Sequence, residues 1–381
     1  MNSNKKKLED RLSDLRSGID EIDGEIVRLI NKRLTIGKKI GEIKDKKGSD
    51  VLDRNREKKI LQRLMDINTG PADGDVLKYI FSVIMTATKQ IQKSNRISYL
   101  GPEASYAHIA ALHYFRHSGN FVGQPGLVEI FKDVEKKESH FGVVPVENSI
   151  EGAVNHTLDL FCEFDVKIIG EHYEHIYHDL LSVSGNIKDV KTIYSHPQAL
   201  AQCRSWIKKK LPGVQVIETS STSKAARLAS EDRSFAAVAS SRAAHFYDLQ
   251  VVETRIEDHS DNITRFLILG KGKAWGGETD WSNKKNSADK DLDETGRYKT
   301  SVMFATSHVP GALFKVLECV NRAGLNMVKL ESRPTKNQNW TYYFFMDLEG
   351  HIMDKTVLET IDEMKENSLF LKVLGSYPVF N

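Results

Sequence analysis

The chain lacks the features that direct a protein into a membrane or an oxidising compartment. Three of its 381 residues are cysteine (Cys162, Cys203 and Cys319), an odd number at wide spacings with no CxxC pair. That excludes a disulfide framework and reads as reduced thiols in a cytoplasmic protein. No window approaches the ~18 consecutive apolar residues of a membrane helix. Lys5, Lys6 and Lys7 stand near the N-terminus, but no apolar signal-peptide stretch follows them. An excess of one charge is missing too: 54 Lys and Arg face 52 Asp and Glu, a formal net charge of +2. Nothing in that balance favours nucleic acid or anionic lipid as a partner.

Proline is nearly absent from the first quarter, where Pro71 stands alone in residues 1–95. This part is rich in Leu, Ile, Lys, Arg and Glu. Apolar residues at Leu12, Leu15, Ile19, Ile22, Ile26 and Leu29, resuming at Ile36, Ile40 and Ile43, form a heptad stripe on one helix over about 8–46. At 1.5 Å per residue that helix is roughly 58 Å long, so it needs a partner along its length, most simply a second copy. Two further helices are expected over 51–68 and 75–93, broken by Gly70-Pro71.

At 381 residues the chain suits two or three domains. From Arg96 short apolar strands alternate with helical stretches, an α/β pattern. Strands are expected over 96–100, 141–145, 166–170, 180–183, 192–195, 214–218, 236–239 and 265–269. Residues 271–299 read as a linker rich in Gly, Asn, Asp, Lys and Ser. Beyond it, strand 301–306, helix 311–323, strands 327–333 and 340–348 and helix 355–366 make a small ferredoxin-like βαββα domain.

The heptad stripe is interrupted by Arg33, a charge on an apolar position that needs a partner. Lys44 returns to within roughly 20° of that face, whereas Arg16 points about 100° away. Asp53, Arg56 and Glu57 share one side of the second helix, and Thr88 and Gln92 form an i,i+4 pair on the third. Several cations and neutral donors inside a helical interface point to a small dianionic ligand.

The run Leu15-Arg16, Ile19-Asp20, Ile22-Asp23, Arg33, Lys44, Asp53-Arg54-Asn55-Arg56-Glu57, Thr88 and Gln92 resembles the all-helical chorismate mutases. The resemblance implies an intertwined dimer in which each site borrows Arg16 from the partner. Arg16 and Arg33 would hold the substrate's carboxylates, and Lys44 and Gln92 the ether oxygen. Glu57 and the Asp53 backbone would take the ring hydroxyl, with Arg56 and Thr88 completing the pocket. The rearrangement needs geometry and donors at the developing charge, not a cofactor or metal.

Residues 96–270 resemble prephenate dehydratases through Tyr99-Leu100-Gly101-Pro102-Glu103-Ala104-Ser105-Tyr106, Val144-Pro145-Val146-Glu147-Asn148-Ser149, Tyr194-Ser195-His196-Pro197-Gln198, Gln202-Cys203 and Asn262-Ile263-Thr264-Arg265-Phe266. The family implies two α/β lobes in a periplasmic-binding-protein-like arrangement with the site between them. It makes Thr264 the proton donor to the departing hydroxyl and Glu147, Asn148, Ser195, His196 and Gln202 substrate-binding. His196 reads equally as a capped turn, and Ser220-Ser221-Thr222 as a carboxylate cradle or a plain N-cap. His172, His175 and His178 sit in a segment of strand character and do not read as a metal cluster. Asp289-Lys290-Asp291-Leu292-Asp293 has Glu294 and Thr300 where a calcium loop needs Gly and Glu. Cys203 reads as a buried thiol.

Residues 300–378 resemble ACT regulatory domains through Pro310-Gly311-Ala312-Leu313 and Leu330-Glu331-Ser332-Arg333-Pro334. The resemblance implies phenylalanine bound between two such domains by Gly311, Ala312, Leu313, Asn326, Glu331, Ser332 and Arg333. Taken together, the three resemblances identify the chain as a member of the bifunctional chorismate mutase/prephenate dehydratases. The expected chain is a feedback-inhibited homodimer with a mutase (5–95), a dehydratase (96–270), a linker (271–299) and a regulatory domain (300–378). The alternative is a dehydratase whose N-terminal helices serve only for dimerisation.

Overall fold

The structure, a computed structural model, describes residues 2–46, 54–92, 95–115, 119–259, 261–271, 297–334 and 342–379. Most of the expected linker (272–296) lies outside them, as do Asp53 and the side chains of Lys44, Arg56, Glu57 and Gln92. The chain forms two units, Met1–Asn95 and Arg96–Asn381.

The first unit holds α1 (Asn2–Lys46), α2 (Arg54–Asp66) and α3 (Gly74–Gln92). The Gly70-Pro71 break is real: Asn68 Oδ1 accepts from the Gly70 N–H at 3.3 Å. Asp73 then starts α3 by accepting from the Asp75 N–H at 2.8 Å, which satisfies one of the helix's orphan donors. Along α1 the heptad stripe is uncovered, with Leu15 62% and Ile22 60% exposed.

The second unit opens with β1 (Arg96–Leu100), α4 (Tyr106–Tyr114), β2 (Asn120–Gln124), α5 (Leu127–Glu135), β3 (Phe141–Asn148), β4 (Gly152–Ala153), α6 (Asn155–Glu163) and β5 (Lys167–His175). The chain then crosses into a second lobe. That lobe comprises β6 (Asp179–Ser182), β7 (Thr192–Ser195), α7 (Pro197–Gln202), α8 (Arg204–Lys210), β8 (Gln215–Glu218), α9 (Thr222–Ala229), β9 (Phe235–Ala239), α10 (Ser241–Phe246) and β10 (Gln250–Glu253). It returns as β11 (Ile263–Gly270), which inserts antiparallel between β3 and β5. The first lobe's sheet runs β2-β1-β3-β11-β5, with β4 paired to β3, and the second runs β10-β6-β9-β7-β8. Two crossings, at 176–178 and 254–262, therefore join the lobes. The edge strands β2 and β10 were not expected from sequence, because neither carries a clear apolar alternation.

The last part adds β12 (Tyr298–Ala305), α11 (Ala312–Arg322), β13 (Met327–Pro334), β14 (Tyr342–Glu349), α12 (Lys355–Glu366) and β15 (Phe370–Pro378). Its sheet order, β13-β14-β12-β15, is ferredoxin-like. Strand β15 completes the βαββα pattern and was hidden by Lys372 and Gly375. Both residues serve packing on the first lobe. Lys372 Nζ donates to the carbonyls of Phe161 (3.1 Å) and Phe164 (2.9 Å). A Cβ on Gly375 would lie 2.0 Å from the Ile168 carbonyl oxygen, so only glycine permits this approach. One apolar core, including Phe131, Phe161 and Ile168 of the first lobe and Met303, Phe345 and Tyr377 of the last sheet, joins the two layers.

Candidate functional site

In the helical unit the stripe's misplaced cation finds its partner on α3. The Arg33 guanidinium donates to the Thr88 hydroxyl oxygen and, at 3.3 Å, to the Ile84 carbonyl. Thr88 in turn donates to that carbonyl at 2.8 Å. Arg33 and Thr88 are thus brought together, half-buried, while Arg16 is exposed on α1.

In the second unit, strand register sorts the candidate residues. Thr264 on β11 stands opposite Asn148 on β3 and Glu174 on β5, while Arg265 stands opposite Glu147 and Tyr173. Opposed residues share a face and successive ones alternate. Thr264, Asn148 and Glu174 therefore occupy one face, and Arg265 and Glu147 the other.

On the first face, Asn148 Oδ1 accepts from the backbone N–H groups of Ile150 (3.0 Å) and Glu151 (3.1 Å). Backbone N–H groups only donate, so the Asn148 amide cannot be flipped. Its Nδ2 then donates to Thr264 Oγ1 at 2.8 Å and to Asn262 Oδ1 at 2.7 Å. Thr264 is an acceptor in this contact, and its own hydroxyl proton remains available to something else. Gln202 joins the group, accepting from Asn262 Nδ2 at 3.0 Å.

Three other candidates are placed differently. Glu147 turns away from Thr264 and pairs with Lys329 of β13 at 2.6 Å. Ser195 is fully buried and donates to the Val238 carbonyl at 2.6 Å. His196 caps α7, its Nδ1 accepting from the Gln198 N–H at 3.4 Å. Ser221 likewise caps α9 by accepting from the Lys224 N–H at 3.0 Å.

The opposite face is a buried charge network. Arg265 meets Glu171 and Asp347, each at 2.7 Å, and donates to the Tyr377 hydroxyl at 3.0 Å. Lys299 adds a second cation to Glu171 at 2.8 Å. Burial opposes the Arg265 charge, but Asp347, Tyr377 and Glu171 overcome it and hold the guanidinium charged.

His172, His175 and His178 do not converge. His175 stacks on Tyr177, and His178 bonds Gln202. His172 instead meets a carboxylate that the sequence did not connect to it. Glu174 Oε2 accepts from His113 at 2.7 Å and His172 at 2.9 Å, and the Arg242 guanidinium contacts the other nitrogen of His113. Burial raises the Glu174 pKa, but hydrogen bonds from both histidines outweigh it and hold the carboxyl below its ordinary value. With a guanidinium already seated there, the three side chains form a hydrogen-bonded ion cluster and not a cation cage. Cys203 is fully buried, and burial pushes its thiol far up.

In the last sheet, Gly311 precedes α11 at φ 80°, a left-handed conformation that favours glycine. A cavity of about 520 Å³ opens there, lined by residues including Pro310, Gly311, Ala312, Leu313, Phe314 and Phe344. Ser332 and Arg333 lie at the same end of the sheet, opposite Phe344 and Tyr343. Glu331 is one pair further along β13, opposite Phe345, and Asn326 precedes that strand's far end.

Among the described residues, no helix is long and apolar enough to cross a membrane. The chorismate mutase type II family matches residues 15–93, prephenate dehydratase residues 97–274 and the ACT domain residues 302–366. A bifunctional chorismate mutase/prephenate dehydratase of Aquifex aeolicus is 44% identical over 373 residues, covering 97% of this chain and 98% of that one. A solved prephenate dehydratase of Arthrobacter aurescens in complex with L-Phe is similar at 28% identity and TM-score 0.65, covering 74% of this chain and 90% of that one. GqqA, described as a novel type of quorum quenching acylase, is also similar at 28% identity and TM-score 0.65, covering 75% of this chain and 98% of its own.

Proposed function

The chain belongs to the bifunctional chorismate mutase/prephenate dehydratase family, and from that premise we propose a division of labour among its parts. Residues 5–95 rearrange chorismate to prephenate. Residues 96–270 convert prephenate to phenylpyruvate, carbon dioxide and water. Residues 300–378 bind phenylalanine and lower the output. We place the enzyme in the cytoplasm. Fold likeness alone would not separate this from the acylase activity named for GqqA. The observation that carries the dehydratase reading is the fixed direction of the Asn148–Thr264 hydrogen bond.

The chemistry follows from that direction. Loss of the substrate's ring carboxylate as carbon dioxide sends an electron pair through the ring to the departing C–O bond. The leaving oxygen needs a proton, and the Thr264 hydroxyl supplies it. Charge then gathers on Thr264 Oγ1, where Asn148 Nδ2–H already points, so the stabilising donor is oriented before reaction, and a proton from solvent restores the hydroxyl once the products leave. A threonine is a weak acid in water, and this preorganised donor in a half-buried site offsets that weakness. Gln202 joins the substrate-binding group with Asn148. Ser195 and His196 support the site through the contacts described above, whereas Glu147 faces the last sheet.

In the mutase, Arg33 and Thr88 form the described part of the pocket, with Lys44, Asp53, Arg56, Glu57 and Gln92 as its further members. The exposed α1 stripe calls for a second copy, which would bring its Arg16 into the pocket. A homodimer also suits the regulatory end. Asn326 and the Gly311 cavity lie at opposite ends of one domain, so Asn326 reaches a cavity only from a partner. Glu331, Ser332 and Arg333 belong to β13, the free edge along which two sheets would meet.

Purified chain fed with chorismate, and followed for prephenate and phenylpyruvate with and without phenylalanine, tests the scheme. Arg33→Ala should abolish chorismate consumption and Thr264→Ala should stop the pathway at prephenate. Unchanged consumption in Arg33→Ala would reduce the helices to a dimerisation element.

A further inference from the structure

His178 takes no part in the reaction as described, yet it occupies the first crossing between the lobes and is 3% exposed. Its two ring nitrogens are treated unequally. Nε2 lies 2.8 Å from Gln202 Oε1, whereas Nδ1 has no hydrogen-bond partner among the described residues. A buried nitrogen left unpaired carries a cost, so the arrangement calls for an explanation.

Ile150 and Glu151 fix the Asn148 oxygen, which aims its amide nitrogen at Asn262 Oδ1. Asn262 must then present its own nitrogen to Gln202, and Gln202 must present its oxygen. That oxygen faces His178 as well, so the histidine has to donate from Nε2. Every orientation in the chain is therefore forced from one end. At the other end, burial lowers the His178 pKa and keeps the ring neutral, so the single ring proton resides on Nε2.

We infer that His178 is a positioning residue for the dehydration. As an Nε2–H donor, it restrains Gln202 from the far end and so reinforces the arrangement of Asn262 and Asn148 that Ile150 and Glu151 impose from the near end. His178 and Asn262 come from the two crossings, Gln202 from the second lobe, and Asn148 and Thr264 from the first. The chain thus spans both crossings and ties the Asn148–Thr264 pair of the first lobe to Gln202 of the second. Without the histidine donor, Gln202 keeps only its bond from Asn262, and the chain that supports Asn148 and Thr264 loses its anchor in the crossing.

The inference rests on Thr264 being the proton donor, and the test separates the two. In the full-length protein, His178→Leu removes the donor, while His178→Gln offers an amide N–H at about the place of Nε2. Steady-state dehydration of prephenate should show kcat lowered about 10- to 100-fold in His178→Leu, the loss typical of an orienting partner, with KM changed less than about threefold. His178→Gln should restore kcat to within a few-fold of the natural chain. Nitrogen-15 NMR of labelled histidine, assigned by the signal lost in His178→Gln, should show a protonated Nε2 and a bare Nδ1. If His178→Leu does not fold, His178→Gln and the NMR signal decide. A bare Nε2, or a folded His178→Gln with kcat down tenfold or more, overturns the inference. So does a folded His178→Leu with full kcat. Thr264→Ala with full activity overturns the proton-donor reading instead.

Discussion

Asn148 gives its oxygen to two backbone N–H groups and its nitrogen to two acceptors, so none of its four bonds is interchangeable. Thr264 inherits that rigidity. Thr264→Ala should lower the dehydration kcat by about 10²- to 10⁴-fold, the usual range for a positioned proton donor, whereas Thr264→Ser should retain most of it; rapid assay of phenylpyruvate distinguishes them. His178 yields a second expectation, on stability. Burial depresses its folded-state pKa below 6.5, so as pH falls the unfolded chain takes up a proton first. Its contribution is complete above pH 6.5 and is lost below it. Urea titrations at several pH values should therefore show a shallower acid-side decline in His178→Gln than in the natural chain. Much of this hydrogen-bonded cluster was legible in the sequence, since Asn148, Gln202 and Thr264 stand in short recognisable runs. The contacts of Glu174 and His178 were not, because one depends on strand register and the other on where the crossing between the lobes runs. His113 pairs with a carboxylate 61 positions away, a separation that no local pattern reveals.

At the level of elements, the last sheet is bound to the first lobe by a shared core and by buried charges. Asp347 on β14 reaches across to Arg265 on β11. Asp347→Leu leaves that guanidinium with Glu171 as its close carboxylate, and should destabilise the second unit by about 3 kcal/mol, as broken buried ion pairs do; chemical denaturation measures it. Gly375→Val is expected to be worse. Its side chain would occupy the space of the Ile168 carbonyl, so β15 must withdraw from β5. Chemical denaturation should then show a larger loss of stability than Asp347→Leu. The sequence pattern revealed the long helix, most central strands and helix Lys355–Glu366. It missed β2, the two-residue β4, β10 and β15. Edge strands bury little, and β15 spends two of its positions on contacts with a distant layer.

For the molecule as a whole, the two units carry separate chemistry. Arg33→Met should remove mutase activity by at least about 100-fold, while dehydration of added prephenate and its inhibition by phenylalanine remain within about twofold. Parallel assays of one preparation check this. Three motif-bearing segments in order made the overall plan readable from sequence. The joining of dehydratase and regulatory layers was not readable, because the residues between them carry no pattern and the contact is made by side chains far apart in the chain.

One pair of neighbours on β11 has a broader consequence. Thr264 and Arg265 are adjacent in sequence but look out on different worlds, one toward the proposed site of dehydration and one toward the sheet proposed to sense the product. A slip of one residue along β3 and β5 would exchange them. Register is therefore under double jeopardy on the proposed roles: a change that loosens it should forfeit catalysis and control at once. Inhibitor-resistant variants that keep their activity should accordingly accumulate in side chains beyond the backbone wall, such as Lys329 or Asp347, and spare the strand itself.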